Sequence, residues 1–222
     1  MEHLRFEDMN ISNEICRAVL DMGFEEATPI QSQAIPVILE GKDIIGQSQT
    51  GTGKTAAFGI PLLERINPED RRLQALILCP TRELAIQVSE EFRKLLKYKD
   101  NIRVLPIYGG QPIDRQIAAL RKGTQVVIGT PGRVMDHMRR RTIKAETVQM
   151  MVLDEADEML DMGFIKDVTN ILDRCPKKKQ VVMFSATISR EVMDISWLYQ
   201  RDVVEITVLP KEKNEPKIAQ YS

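Results

Sequence analysis

The sequence has few cysteines, no long apolar run and almost no net charge. Its three cysteines, Cys16, Cys79 and Cys175, are scattered, which argues against a disulfide framework or a zinc site and fits a reducing cytosol. The N-terminus carries charges where a signal peptide needs apolar residues, and no stretch approaches the ~18 apolar residues of a membrane span. The net charge of -1 gives no general attraction to nucleic acids or membranes. We therefore expect a cytoplasmic protein with no membrane partner, in which any nucleic-acid binding depends on local groups.

The 222 residues are 43% hydrophobic and 28% charged, which is typical of one large globular domain. Short apolar runs alternate with longer segments that have apolar residues every three or four positions. The runs are ALILC (75–79), RVLPI (103–107), QVVIG (125–129), MMVLD (150–154) and VVMFS (181–185). Unbroken apolar runs indicate strands covered on both faces. The pattern predicts an α/β fold with a mostly parallel sheet, whose ligands bind at the carboxyl ends of the strands.

Three segments are predicted along the chain. Residues 1–40 read as helices that pack before the first strand, one ended by Gly23 and one running from Thr28-Pro29 to Gly41. Residues 41–208 form the main domain. Residues 209–222 are polar with two prolines and are predicted to begin a linker.

A phosphate-binding loop is predicted between the first strand and a helix. GQSQTGTGKT (46–55) ends in Gly-Lys-Thr but has Ser48 where the general pattern has glycine. Small residues let backbone N–H groups surround phosphate oxygens. Lys54 would reach the outer phosphates, and the Thr55 hydroxyl could bind Mg²⁺. The alternative is a glycine-rich turn that merely opens a helix. The predicted nucleotide-binding residues are Ser48, Gln49, Thr50, Gly51, Thr52, Gly53, Lys54 and Thr55.

A pair of carboxylates follows the predicted strand 150–154. Asp154 would hold Mg²⁺, partly through water, and Glu155 would position or deprotonate an attacking water. The alternative is an acidic helix N-terminus, where Asp and Glu suit the helix dipole. Together with Lys54, these carboxylates are the predicted catalytic residues.

The tetrapeptide DEAD (154–157) indicates which protein family the sequence resembles. From about Phe6 to about Val208, the chain resembles the DEAD-box ATP-dependent RNA helicases, particularly the bacterial cold-shock type, with many motifs in order. The resemblance implies a RecA-like P-loop NTPase domain that binds ATP and Mg²⁺. Members of that family usually have alanine where this chain has Ser48, which is a small departure.

GFEEATPIQ (23–31) is similar to the adenine-recognising Q motif of that family. The resemblance implies that Gln31 hydrogen-bonds the adenine edge, that Phe24 stacks on the ring, and that Phe6 is the isolated upstream aromatic. Thr28 and Gln31 also have the spacing of a capping box, in which the two side chains cap the N-terminus of a helix and no ligand is needed. Both roles stay open, because an amide has several bonding positions.

Three further motifs follow predicted strands and resemble the RNA contacts of the family. They lie in PTRELA (80–85), GG (109–110) and TPGR (130–133), and the predicted RNA-binding residues are Pro80, Thr81, Arg82, Gly109, Gly110, Thr130, Pro131, Gly132 and Arg133. Arginines, hydroxyls and free N–H groups can meet RNA phosphates without reading bases, so no sequence preference is expected. The alternative for each motif is a strand-to-helix turn with a threonine N-cap.

SAT (185–187) is similar to the motif that couples the nucleotide and RNA sites. The resemblance implies that Ser185 and Thr187 bond the DEAD carboxylates, Asp157 above all; an N-cap is the alternative. The basic runs 139–141 and 177–179 are expected at helix ends or in solvated loops.

The second RecA-like domain of the family has a His-Arg-x-Gly-Arg motif, and this sequence has no such motif. We therefore expect a first domain taken from a longer RNA-dependent ATPase, monomeric and nearly inactive alone. A binding module without activity and a different P-loop enzyme are the alternatives; the Q-motif segment and the RNA motifs favour the helicase.

Overall fold

The computed structural model describes residues 4–49 and 51–208, so Thr50 and the predicted linker 209–222 lie outside the described residues. The described chain forms an α/β domain. The helices are a short 3₁₀ helix at Phe6–Asp8 and α1 Asn13–Asp21, α2 Pro29–Leu39, α3 Lys54–Arg65, α4 Arg82–Leu95, α5 Ile113–Arg121, α6 Pro131–Arg139, α7 Ala156–Asp161, α8 Ile165–Arg174 and α9 Arg190–Tyr199. The strands are β1 Ile44–Gln47, β2 Ala75–Leu78, β3 Val104–Ile107, β4 Val126–Gly129, β5 Met150–Leu153, β6 Gln180–Ser185 and β7 Val204–Thr207.

All seven described strands belong to one sheet in the order β3-β4-β2-β5-β6-β1-β7, and every neighbouring pair is parallel. The prediction of a mostly parallel sheet is confirmed. Strand β7 was not predicted, because its residues alternate between partly exposed and buried rather than forming an unbroken apolar run.

Hydrophobic residues fill both faces of the sheet. In β2, Ala75 and Ile77 join the core under α1–α4, whereas Leu76 and Leu78 join the core under α6–α9. Successive strand residues point to opposite faces, so a strand buried on both sides must be apolar throughout. This explains the short apolar runs of the sequence.

The N-terminal helices are part of this core. Ile15 and Val19 of α1 and Ile35 and Ile38 of α2 are fully buried in the same cluster as α3. Gly23 and Gly41 follow the two helices with φ of +86° and +83°, the left-handed conformation that ends helices. Among the described residues no helix is both long and apolar enough to cross a bilayer.

Candidate nucleotide site and RNA-facing edge

The carboxyl ends of the strands place the predicted motifs along one edge of the sheet. The phosphate loop follows β1, DEAD follows β5 and SAT follows β6, and these three strands are adjacent in the order β5-β6-β1. The other three motifs follow β2, β4 and β3, which form the other half of the sheet. The strand order therefore separates a nucleotide half from a proposed RNA half, with β5 next to β2.

The phosphate loop turns on two glycines with positive φ. Gly51 has φ +79° and Gly53 has φ +90°, a region that costs other residues strain. Ser48 does not have positive φ and is 2% exposed. The hydroxyl of Thr52 donates to the Gln49 carbonyl at 2.9 Å and approaches Ser48 Oγ at 3.2 Å. Serine is therefore accommodated at position 48 without the strain of a positive φ.

Two buried polar atoms at this site are unpaired. Among the described residues, Lys54 Nζ and Asp154 Oδ1 have no hydrogen-bond partner, although the two residues are only 7% and 2% exposed. Both residues line a cleft of about 920 Å³, together with Gly51, Gly53 and Thr55. Buried polar groups are rarely left unpaired, so these atoms fit a ligand that brings both negative oxygens and a cation. The residues fit a Mg²⁺-nucleotide.

Burial changes the ionisation of Asp154. Desolvation raises the pKa of Asp154 to about 7; the Lys54 charge opposes the shift and the Glu155 charge adds to it. The causes match the position of the side chain, which is buried beside one cation and one carboxylate. A divalent cation at this carboxylate would favour its ionised form.

Glu155 has an uncommon backbone conformation. Its φ of +52° and ψ of +56° are left-handed, which is rare for a residue other than glycine. Such strain is concentrated at functional sites. The partly exposed side chain lines the cleft with Asp154. Helix α7 begins at the next residue, with Asp157 and Glu158 in its first turn, so the predicted acidic helix start is present as well.

Gln31 closes a capping box and also contacts the phosphate loop. Its Oε1 accepts from the Thr28 N–H at 2.9 Å, and its Nε2 donates to the Gly53 carbonyl at 3.1 Å. The Thr28 hydroxyl donates to the Thr52 carbonyl at 2.9 Å. The capping-box alternative is therefore confirmed. Gln31 is fully buried, and its contact with adenine stays a prediction.

The two aromatic residues predicted to contact the base occupy different environments. Phe24 is partly buried and lines the cleft. Phe6 is 2% exposed within the core and is not among the described residues that line the cleft. The structure therefore places the Phe6 ring in the hydrophobic core and not in the wall of the cleft. Direct contact of either ring with adenine stays a prediction.

The SAT segment bonds the DEAD segment. Asp157 Oδ2 accepts from both the backbone N–H and the hydroxyl of Thr187, each at 2.8 Å. Ser185 Oγ accepts from the Asp157 N–H at 3.2 Å and donates to the Thr187 carbonyl at 2.7 Å. Burial alone would raise the pKa of Asp157, but these hydrogen bonds outweigh it and lower the pKa. The predicted bond from Thr187 is present. The N-cap alternative is wrong, because Ser189 caps α9.

The predicted RNA residues lie at the starts of α4 and α6 and in the turn after β3. Thr81 accepts from the Leu84 N–H at 3.2 Å, which confirms it as an N-cap, and Thr130 precedes α6 without a side-chain cap bond. Pro80 and Pro131 are buried, whereas Gly109, Gly110, Gly132 and Arg82 are exposed. Their contact with RNA stays a prediction.

Hydrogen bonds and ring contacts join these segments. Arg133 Nη2 donates to the Gln111 carbonyl at 3.1 Å, and the Arg82 guanidinium lies 5.9 Å from the centre of the Tyr108 ring. Tyr108 and Gln111 flank the two glycines. The sequence reasoning missed both residues, because only the glycine pair belonged to a recognised motif.

Part of the cleft wall was also missed. Helices α1 and α4 and the turn after α4 contribute polar side chains to it, namely Asp21, Gln87, Glu91, Arg93, Lys94 and Lys97. In the sequence these residues look like the solvent-facing positions of amphipathic helices, so no local signal distinguishes them. The basic runs are placed as predicted: 139–141 lies at the end of α6, and 177–179 lies between α8 and β6.

Comparisons with known proteins agree with this geometry. The model of the DEAD/DEAH box helicase family matches residues 28–195. The DEAD-box ATP-dependent RNA helicase CshA of Bacillus licheniformis is 52% identical over 98% of this chain and 45% of its own length. CshA of Bacillus subtilis is likewise 52% identical over 98% of this chain and 44% of its own length. The chain thus spans less than half the length of these relatives.

A solved structure has the same fold. The crystal structure of a DEAD box protein from the hyperthermophile Methanococcus jannaschii matches with a TM-score of 0.89 and 46% identity, over 93% of this chain and 56% of that one. The RecA-like architecture is therefore shared with a protein of the family. Given these matches and the ordered motifs at one edge of its parallel sheet, the chain belongs to the DEAD/DEAH box helicase family.

Proposed function

We propose that the chain is the N-terminal ATP-binding domain of an ATP-dependent RNA helicase, which hydrolyses ATP when joined to a second RecA-like domain. One observation carries the proposal: buried Lys54 Nζ and Asp154 Oδ1 have no partner within the described part of the chain, and their residues line a single cleft beside the phosphate loop. A cation and a carboxylate in one cleft suit the phosphates and the metal ion of Mg-ATP.

The phosphate loop and Asp154 have proposed roles in holding the nucleotide. The positive-φ turns at Gly51 and Gly53 direct backbone N–H groups toward phosphate oxygens. Lys54 neutralises charge on the outer phosphates. The Thr55 hydroxyl and Asp154, partly through water, would hold Mg²⁺, which would withdraw charge from the phosphate oxygens. Among the described residues no three His, Cys, Asp or Glu side chains form a metal cluster, so phosphate and water would supply the remaining ligands.

Glu155 is the proposed general base. Its left-handed backbone presents the carboxylate at the start of α7, where it can accept a proton from the water that attacks the γ-phosphate. The charge that develops on that phosphate needs donors from the side opposite Lys54. We propose that arginines of the second RecA-like domain supply them.

RNA binding is proposed for the other half of the same edge. Arg82, Arg133 and the backbone N–H groups at the helix starts would meet phosphates, without sequence preference. The bonds between Thr187 and Asp157 join β6 to the DEAD segment, so a shift of either segment moves the other. This contact is the proposed link between ATP hydrolysis and RNA binding.

Base selectivity tests the nucleotide half. We expect ADP to bind the chain much more tightly than GDP, because guanine presents a different donor and acceptor pattern and would leave buried polar groups mismatched. The Gln31→Ala variant should narrow the difference, as measured by calorimetry. Equal affinities for ADP and GDP in the unaltered chain would leave Gln31 as a helix cap and a loop contact only.

Steady-state ATP hydrolysis with saturating RNA tests the whole proposal. The chain alone should bind nucleotide but hydrolyse it barely, because arginine contacts to the transferred phosphate are worth roughly 10³–10⁵ in rate. The longer protein should show RNA-stimulated turnover. An equal rate from the chain alone would contradict the need for the second domain. We also propose a cytoplasmic protein that is monomeric in isolation, and sedimentation of the purified chain tests the monomer.

A further inference from the structure

Helix α5 buries one side chain, and that side chain is polar. All nine residues of α5 are described, and Gln116 is its buried residue, with 2% exposure. A surface helix normally buries an apolar stripe. An enclosed amide is costly unless its donors and acceptor are paired, so glutamine at this position needs a specific reason.

Both ends of the Gln116 amide have buried partners. Nε2 donates to the Tyr108 carbonyl at 3.1 Å, and Oε1 lies 2.9 Å from His137 Nε2. His137 belongs to α6 and is fully buried. Its other ring nitrogen, Nδ1, lies 2.8 Å from Thr142 Oγ1. Thr142, His137 and Gln116 thus form a continuous chain of hydrogen bonds, here called the buried relay.

The two bonds that Gln116 makes to Tyr108 and His137 have a fixed direction. Gln116 Nε2 donates to Tyr108, so Oε1 faces His137 and can only accept, which requires a hydrogen on His137 Nε2. Burial, aided by the Arg133 charge, lowers the pKa of His137, so the ring is neutral near pH 7. The Thr142 hydroxyl lies within hydrogen-bond distance of two acceptors, the unprotonated Nδ1 at 2.8 Å and the His137 carbonyl at 3.0 Å, and its single hydrogen is shared between them.

The relay ends at the turn that carries the glycine pair. Gln111 Nε2 donates to the Tyr108 hydroxyl at 2.6 Å, and Arg133 Nη2 donates to the Gln111 carbonyl at 3.1 Å. A Cβ at Gly110 would lie 3.4 Å from Arg82 Nη1. The turn 108–111 is therefore in contact with both arginines of the proposed RNA edge.

We propose that Gln116 and His137 are positioning residues that hold the turn 108–111 and Arg133 in the geometry that binds the RNA backbone. The inference rests on the proposed function. Neither side chain can touch RNA itself, because both are buried. They act through the Tyr108 carbonyl and through the adjacent start of α6, which carries Arg133 and His137 on successive turns.

Matched variants of α6 test the proposal. His137→Leu removes both ring nitrogens, whereas His137→Gln retains an N–H donor toward Gln116. Met138→Ala shortens a neighbouring apolar side chain that is 5% exposed and makes no bond to the relay. Thr142→Val is a milder change, which keeps the test decisive if His137→Leu does not fold.

The readouts are the affinity for a labelled uridine homopolymer by fluorescence anisotropy, its salt dependence, ADP affinity, and amide hydrogen exchange at 108–111. We expect His137→Leu to weaken RNA binding about five- to tenfold and to reduce the salt slope by about one phosphate contact. Thr142→Val should have a smaller effect of the same kind. His137→Gln should recover most of the loss, ADP affinity should not change, and exchange at 108–111 should accelerate only in the relay variants.

Several outcomes would contradict the proposal. RNA affinity that the relay variants leave unchanged would overturn it and leave the proposed function standing. An equal loss in Met138→Ala would assign the effect to general loosening of α6 and would also overturn it. Failure of the unaltered chain to bind RNA at all would overturn the RNA part of the proposed function, and this inference with it.

Discussion

The two positive-φ glycines of the phosphate loop differ in what surrounds them. A Cβ at Gly53 would collide with Gln31 Nε2 and lie 3.3 Å from Thr28 Oγ1, whereas no described atom lies within 4 Å of a Cβ at Gly51. The backbone of Gly53 has φ +90° and that of Gly51 has φ +79°. Alanine at either position is strained by its backbone, but only Gly53→Ala collides with the capping box.

The structure supplies the expected magnitudes. Left-handed backbone costs alanine about 1–2 kcal/mol at either position. At Gly53 the added methyl must also displace the Gln31 amide, which donates to the Gly53 carbonyl at 3.1 Å and accepts from Thr28 at 2.9 Å. Each lost bond is worth about 1 kcal/mol. We expect Gly51→Ala to lower the free energy of unfolding by about 1 kcal/mol and Gly53→Ala by about 3 kcal/mol.

Urea denaturation of the nucleotide-free chain measures both values. A double-mutant cycle then isolates the collision, because Gln31→Ala removes the amide that Gly53→Ala displaces. In the Gln31→Ala background, the cost of Gly53→Ala should fall to that of Gly51→Ala. If Gly51→Ala and Gly53→Ala cost the same in the unaltered background, the Q-motif helix does not brace the phosphate loop and the reasoning is refuted.

Three further predictions concern the site. Ser48→Ala should leave ADP affinity within a factor of a few, whereas Lys54→Ala should reduce it far more, because it removes the positive charge that faces the phosphates. Calorimetry on the two variants measures both affinities, and equal losses would contradict the proposed phosphate loop. In the longer protein, Glu155→Gln should keep ATP binding but lose most single-turnover hydrolysis, since an amide cannot accept the proton of water; unchanged hydrolysis would assign the base elsewhere. Thr187→Val should cost about 1 kcal/mol by removing one bond to Asp157. The lowered pKa of Asp157 means that its contribution is fully present above the unfolded-state pKa of about 3.9 and is lost as the pH falls through the lower folded-state value. The difference in unfolding free energy between the two chains should therefore be largest at pH 7 and should shrink as the pH is lowered below about 3.9.

The five strands predicted from apolar runs are present, with boundaries shifted by at most one residue. They could be predicted because a strand buried on both faces must be apolar at every position. Edge strand β7 could not, since half of its residues are exposed and its pairing with β1 depends on the rest of the sheet. The helix ends at Gly23 and Gly41 were also predictable, because a left-handed C-terminal residue favours glycine whatever surrounds it.

The candidate site was only partly predictable. The phosphate loop is one continuous segment of the sequence, and so is the DEAD tetrapeptide. The chemistry of each requires particular residue types at fixed spacing, so both could be located from the sequence alone. The cleft wall from α1 and α4, the buried Phe6 ring and the relay of Gln116 and His137 involve residues far apart in the chain. Their partners depend on how helices cross the sheet, and no local pattern encodes that.

The sequence by itself therefore determined the fold class, the order of the motifs and the family. Hydrophobic periodicity and motif spacing depend on a few neighbouring residues and on backbone geometry that is the same in every protein. Only the tertiary structure decided that the Gln31 amide bonds Thr28 and Gly53, and that Lys54 Nζ and Asp154 Oδ1 have no partner among the described residues although both residues line one cleft. It alone also places a buried histidine next to the glycine turn, through Gln116. Those facts depend on burial and on contacts across the sheet, because the cost of an unpaired polar group exists only where folding has removed it from water.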